Sequence, residues 1–204
     1  MSLANYTDLQ AAIASWGHRT DLAALIPDFV ALAEARIGRD LRLRSQVIHT
    51  TLSTAAAIQT VATPTDWLET ENITLNTTPP RNLSIITPEQ MDIRFPLNYY
   101  AGAPRYYTML GTNLVLGPTP DAVYAIGFDY YQRPVPLATT ATNSLLTNSP
   151  NLYLYAALHE LCRYTREEDL AMKWLKMYTA DKDQLQVSDD AALRSGSALR
   201  VKGF

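Results

Sequence analysis

The residue types able to do chemistry gather in one short stretch, His159-Glu160-Leu161-Cys162-Arg163. A cysteine three residues from a histidine can meet it on a helix face, and such a pair is one way to generate a thiolate nucleophile. The surroundings favour a plainer reading. Leu158 and Leu161 put Cys162 on an apolar face, where a thiol packs rather than reacts, and no strand-to-helix glycine elbow accompanies it. His159-Glu160 opens like the zinc-protease pattern His-Glu-x-x-His, but the closing position is Arg163. The other histidines, His18 and His49, fall in different predicted elements, so no metal ligand set forms. His159 reads as a residue of the polar helix face. Glu167, Glu168 and Asp169 suit a helix start, where the backbone dipole favours carboxylates. Gly111 and Gly117 bracket a hairpin strand without the spacing of a phosphate loop. The sequence therefore predicts no catalytic residue, no metal and no cofactor.

What the chain has in surplus is tyrosine: Tyr99, Tyr100, Tyr106, Tyr107, Tyr130, Tyr131, Tyr153 and Tyr155. Paired rings on strands can form a sugar-binding platform. They also serve protein interfaces, because a ring gives large contact area while its hydroxyl stays satisfied at a wet edge. Packing and interface is the reading adopted, with Tyr99, Tyr100, Tyr106, Tyr107, Tyr130 and Tyr131 as candidate inter-subunit residues. A carbohydrate- or receptor-binding module built on the same sheet is the alternative.

These residues need elements to hold them. Leu9, Ala12, Ile13 and Trp16 share a face of a first helix capped by Thr7 or Asp8, with Gly17 as its stop. Thr20-Asp21 restarts the chain, and Pro27 suits the first position of a second helix. There Phe29, Val30, Ala33, Ile37 and Leu41 form one apolar stripe. The period then changes. Short β-branched runs at 46–52, 58–61, 68–75, 83–86, 105–110, 113–116 and 123–131 are separated by turn chemistry such as Thr63-Pro64-Thr65-Asp66 and Thr78-Pro79-Pro80-Arg81-Asn82. Thr87-Pro88-Glu89-Gln90 is the form of a helix cap, and Gly111-Thr112-Asn113 that of a hairpin turn. A strand leaves the sheet at Pro134, and a polar connector leads to a helix opening at Ser149-Pro150. Leu154, Leu158, Leu161 and Cys162 share its inner face. After a break near 164–167, Leu170, Trp174, Met177, Tyr178 and Leu185 continue the stripe.

The expected fold class is α+β: an antiparallel bundle of N- and C-terminal helices, an inserted antiparallel β-sheet or small sandwich, and a flexible C-terminal tail. The expected divisions are residues 1–44 and 138–192 for the bundle, 45–137 for the insertion and 193–204 for the tail. Phe29, Ile37, Leu158 and Trp174 should be buried together. In the tail Leu193, Leu199, Val201 and Phe204 alternate with Arg194, Arg200 and Lys202, as suits a segment that orders on a partner.

Composition limits the partners. The formal charge of −3 and the absence of a Lys/Arg cluster argue against a tight DNA binder. Arg36, Arg39, Arg42 and Arg44, interrupted by Asp40, read as a solvated helix face. One cysteine allows no intrachain disulfide. No signal-peptide pattern and no apolar run of spanning length is present, so a soluble chain made in a reducing cytoplasm is expected. The Asn-x-Ser/Thr triplets at Asn5, Asn72, Asn76 and Asn82 are then chance matches in a threonine-rich sequence.

Several segments, in order, resemble the adaptor (head-to-tail connector) proteins of tailed bacteriophages. They are Tyr6-Thr7-Asp8-Leu9-Gln10 with Trp16; Arg19-Thr20-Asp21-Leu22; Ile26-Pro27-Asp28-Phe29 through Ile37; Pro64-Thr65-Asp66-Trp67-Leu68-Glu69; Thr87-Pro88-Glu89-Gln90-Met91; Pro104-Arg105-Tyr106-Tyr107-Thr108; Leu114 through Pro120; Asp129-Tyr130-Tyr131; and Asn151 through Leu158. The resemblance implies a virion structural protein of the neck without a catalytic site, similar in role to the tail tubular A proteins of podoviruses. It implies a homo-oligomeric ring, commonly a dodecamer, below the portal, which extends the DNA channel and docks tail, nozzle or stopper proteins. Genomic DNA would pass the lumen without specific binding, as a mildly acidic ring favours, and no membrane is involved. The tail residues Leu193, Arg194, Leu199, Arg200, Val201, Lys202 and Phe204 would dock on the portal.

Overall fold

The computed structural model describes residues 3–96 and 100–194. Six α-helices run along the described chain: α1 (Tyr6–Trp16), α2 (Ile26–Asp40), α3 (Pro88–Arg94), α4 (Ser144–Asn148), α5 (Pro150–Tyr164) and α6 (Glu168–Arg194). Eight strands lie between α2 and α4: β1 (Val47–Ser53), β2 (Thr60–Ala62), β3 (Trp67–Leu75), β4 (Arg81–Asn82), β5 (Ser84–Ile85), β6 (Tyr106–Leu110), β7 (Asn113–Gly117) and β8 (Ala125–Gln132). The fold class is α+β. The chain forms two compact units, one of residues 46–133 and one of the residues before and after them.

In the helical unit, the cap of α1 is neither Thr7 nor Asp8 but Asn5, whose side-chain oxygen accepts from the Asp8 N–H at 2.9 Å. Thr7 and Asp8 fall inside the first turn, where the Asp8 carboxylate faces the positive end of the dipole. Pro27 sits in the first turn of α2 but at its second residue, one position later than expected, because the helix opens at Ile26. The predicted stripe is the buried one: Phe29, Val30, Ala33, Ile37 and Leu41 join Leu9, Ala12 and Ile13 of α1 in a core with Leu152, Tyr153, Leu154, Leu158, Leu161 and Cys162 of α5.

The stretch read as a polar connector carries a helix that the sequence reading missed. Asn143 caps α4 by accepting from the Leu146 N–H at 2.8 Å, and α4 drives Leu145 and Leu146 into the core. Asn143 Nδ2 also donates to the Val135 carbonyl at 3.0 Å and to the Tyr153 hydroxyl at 2.9 Å. Leu137 N–H donates to Glu34 Oε1 at 2.8 Å. Burial holds that carboxyl above its usual range, and the Leu137 hydrogen bond opposes the shift.

Two expectations for α6 need correction. Leu170 is 43% exposed, because Ala171 and Tyr178 define the face of α6 that is buried. Trp174 is half-buried rather than enclosed. Its ring lies 5.7 Å from Tyr155 and 5.9 Å from Trp16, with the Lys173 ammonium 5.6 Å from its centroid. Trp174→Ala should therefore cost about 1–3 kcal/mol, less than the roughly 3–5 of a fully buried ring. A thermal melt of the variant checks this, and a loss as large as that of a core phenylalanine would show that the ring is enclosed. Farther along α6, the Arg44 backbone N–H and Nε–H both donate to Asp189, at 2.8 and 3.2 Å, and the Tyr178 hydroxyl donates to Asp40 at 3.1 Å.

In the β unit, one sheet has the order β1-β8-β3-β4 and the other β2-β7-β6-β5. Arg81 and Asn82, expected as the end of a turn, instead form β4 and pair with β3. All pairings are antiparallel except β5 with β6, which is parallel and departs from the expected pattern. Ile73 and Leu75 of β3, Ile126, Phe128 and Tyr130 of β8, Tyr107 of β6, and Leu114 and Leu116 of β7 form one core, so the two sheets make a small sandwich. The β6–β7 hairpin turns at Gly111, whose φ of +60° suits a residue without Cβ. Thr87 caps α3 as its sequence predicts, accepting from the Gln90 N–H at 3.3 Å.

Candidate interaction surfaces

The histidine–cysteine stretch is structural. Cys162 is 3% exposed, and burial pushes its thiol above the ordinary value, which disfavours the thiolate a nucleophile needs. His159 does not lie on a polar face; it is 6% exposed, and its Nδ1–H donates to the Ala171 carbonyl at 2.9 Å. The imidazole thus ties α5 to the first turn of α6. Glu160, 9% exposed, accepts from Arg36 of α2 and, at 3.3 Å, from Arg163. Among the described residues no group of His, Cys, Asp and Glu could hold a metal ion, and no helix is long and apolar enough to cross a membrane.

The arginine group 36–44 is likewise not a simple solvated face. Arg36 enters the half-buried pair with Glu160, Arg42 donates to the Gly38 and Leu41 carbonyls at 2.8 Å, and Arg44 binds Asp189. Arg36 and Arg44 fasten distant elements of their own unit, and the separation in sequence hides their partners, whereas Arg42 closes the end of its own helix.

The tyrosine candidates divide by burial. Tyr130 is 3% exposed, and its hydroxyl donates to Asp66 Oδ1 at 2.9 Å. Burial, with that hydrogen bond, pushes it up to about 12. Tyr107 is also buried, and burial raises it. Both rings belong to the sandwich core, so neither offers its face to a partner. Tyr106 and Tyr131 are half-buried and Tyr100 is 52% exposed. Tyr99 lies outside the described residues. Sequence placed Asp66 only in the Pro-x-Asp-Trp turn and gave no sign of its bond to Tyr130. It also accepts from Gln132 Nε2 at 2.6 Å, and its carbonyl takes the Arg133 N–H at 2.7 Å, which fixes the end of β8.

A polar line also crosses the sheet β1-β8-β3-β4. His49 Nδ1–H donates to Asp129 at 2.6 Å, Asn72 Nδ2 reaches Asp129 at 3.4 Å and Thr74 at 3.3 Å, and Thr74 Oγ1 donates to Asn82 at 3.1 Å. Period-two spacing puts Asn72 and Thr74 of β3 on one face, and the register brings His49 of β1 and Asn72 opposite Asp129 of β8, and Thr74 opposite Asn82 of β4.

For the predicted docking tail, Leu193 and Arg194 continue the backbone of α6. Leu199, Arg200, Val201, Lys202 and Phe204 lie outside the described residues. The helix thus runs two residues past the point where its periodicity was expected to fail.

The comparisons with known proteins supply what the side-chain geometry does not. A family model described as SU10 adaptor protein matches residues 4–202. No curated protein matches the chain.

Proposed function

This chain belongs to the SU10 adaptor protein family, and from that premise we propose that it is a bacteriophage adaptor that assembles as a ring below the portal, extends the DNA channel and docks the tail. The match across residues 4–202 carries the reading. Membership makes the chain a phage adaptor and a part of the virion. The ring, twelvefold on the resemblance, and its position in the neck are the further step.

The physical chemistry agrees with an assembly part. The residues that looked reactive are engaged in holding helices together. A net charge of −3 suits a channel wall that does not retain DNA. Exposed apolar side chains, among them Trp16, Leu32, Tyr100 and Val123, are of the kind that subunit and partner contacts cover. The carbohydrate-binding alternative loses two of its rings, Tyr107 and Tyr130, to the core.

The portal-docking role is assigned to the C-terminal tail. Removal of residues 195–204 leaves Glu168–Arg194 of α6 in place and tests the remainder of the tail. The intact chain should co-sediment with portal rings and show rings by negative-stain imaging. The truncated chain should remain folded and stay in the supernatant. Undiminished binding by the truncated chain would move the docking surface to the folded body. Failure of the intact chain to bind portal rings would overturn the adaptor reading itself.

A further inference from the structure

One edge of the sandwich combines free cations with free backbone. β4 ends one sheet at Asn82, Leu83 buries its side chain, and β5 begins the edge of the other sheet at Ser84. This segment is therefore an edge of both sheets. Its backbone is held from the inner side: Leu83 N–H donates to the Ile73 carbonyl at 2.9 Å, Ser84 N–H to Arg105 at 3.0 Å and Ile86 N–H to Tyr107 at 2.9 Å.

Beside it opens a pocket of ≈ 430 Å³ lined by Arg81, Asn82, Ser84, Pro104, Arg105 and Tyr106. Arg19, Arg36, Arg44 and Arg163 all have carboxylate partners. Among the described residues Arg81 and Arg105 have none. A third cation, Arg94, lies 6.0 Å from the centroid of the Tyr106 ring. Ile85, the next residue of the edge, is 69% exposed, and Ile93, beside Arg94 in sequence, is 73% exposed.

We propose that this edge is a docking site for an extended acidic segment of a partner protein, which runs alongside residues 81–85 and gives its carboxylates to Arg81 and Arg105. A guanidinium presents paired N–H donors that match a carboxylate. An unpaired sheet edge takes an added strand through its backbone, and alternate side chains of that strand can meet Ile85. Duplex DNA fits less well. Its affinity is built from many phosphate contacts, and an isoleucine beside the arginines has nothing to offer a phosphate.

The site requires neither ring nor portal, so it is tested on the isolated intact chain. The probe is an acetylated, amidated Val-Glu-Val-Glu-Val peptide titrated into the isotope-labelled protein, read by amide chemical shifts. Saturable shifts should appear at residues 81–86 and 104–106. Exchange of both glutamates for glutamine in the peptide, or Arg81→Gln with Arg105→Gln in the protein, should each weaken binding about tenfold or more. Unchanged shifts elsewhere in the spectrum of the variant show that it is folded, and either single variant serves if the double one is not. Equal affinity for the two peptides, or no shift at these amides, would overturn the proposal. So would a short DNA duplex or inorganic phosphate that moves the same amides where the acidic peptide does not, since that assigns the pocket to phosphate.

Discussion

Tyr153→Ala is expected to destabilise the helical unit by about 3–5 kcal/mol, the range for removal of a fully buried large ring. Tyr153 is 1% exposed at the centre of a core shared by α1, α2, α4 and α5. The ring is enclosed, so its removal costs the surrounding leucines a packing partner as well as the transfer energy of the ring. The hydroxyl makes a separate, smaller contribution. Tyr153→Phe removes the hydrogen bond from Asn143 and should cost about 1 kcal/mol. The two variants together separate ring from hydroxyl in thermal or denaturant melts. A loss below about 1 kcal/mol for the alanine variant would mean that the core collapses around the gap.

The same residue gives a pH dependence. Burial pushes the Tyr153 phenol up to about 12 from an ordinary value of 10.0, against the opposing Asn143 hydrogen bond. The neutral form is thus favoured by folding. Its stabilising effect is complete below pH 10 and is lost as pH rises from the unfolded value toward the folded one, by about 2–3 kcal/mol in all. Tyr178, raised mainly by burial, acts in the same direction. Tyr153→Phe should flatten the fall in stability between pH 10 and 12. An unchanged slope would assign the alkaline transition elsewhere.

Phe128→Ala should cost the β unit about 3–5 kcal/mol. Phe128 is fully buried, its ring centroid 5.3 Å from that of Tyr130, in the layer where the two sheets meet. The sandwich has few other large rings to redistribute into the gap, and strands held by ladder hydrogen bonds cannot close it by sliding. The diagnostic is a selective loss of amide-exchange protection at β3, β7 and β8. Protection that stays at the level of the unmodified chain would show that Phe128 contributes little to the sandwich.

How much was legible in sequence depends on how local the signal was. The stripe from Phe29 to Leu41 appears at the expected spacing, because a helix face must recur every three or four residues to meet a core. Thr87-Pro88 and Gly111 were legible for a similar reason: a cap and a left-handed turn are decided within four residues. α4 was not, since Ser144–Asn148 is too short to show a period and depends on Asn143, whose side chain also serves Tyr153. The exposed Leu170 and the half-exposed Trp174 share a cause: a period gives the phase of a stripe but not which part of it meets a partner.

By itself, the sequence determined the α+β class, the order of the main elements apart from the short α4 and β4, and the family, since each rests on patterns carried by contiguous residues. Tertiary structure alone decided what the polar residues do. His159 meets Ala171, Arg36 meets Glu160, and Tyr130 meets Asp66 across 12, 124 and 64 positions. It also decided which tyrosines are core and which arginines are left open at the sandwich edge. Burial and pairing of a side chain depend on the elements packed over it. A one-dimensional pattern contains the period of that chain but not the identity of its neighbours in space.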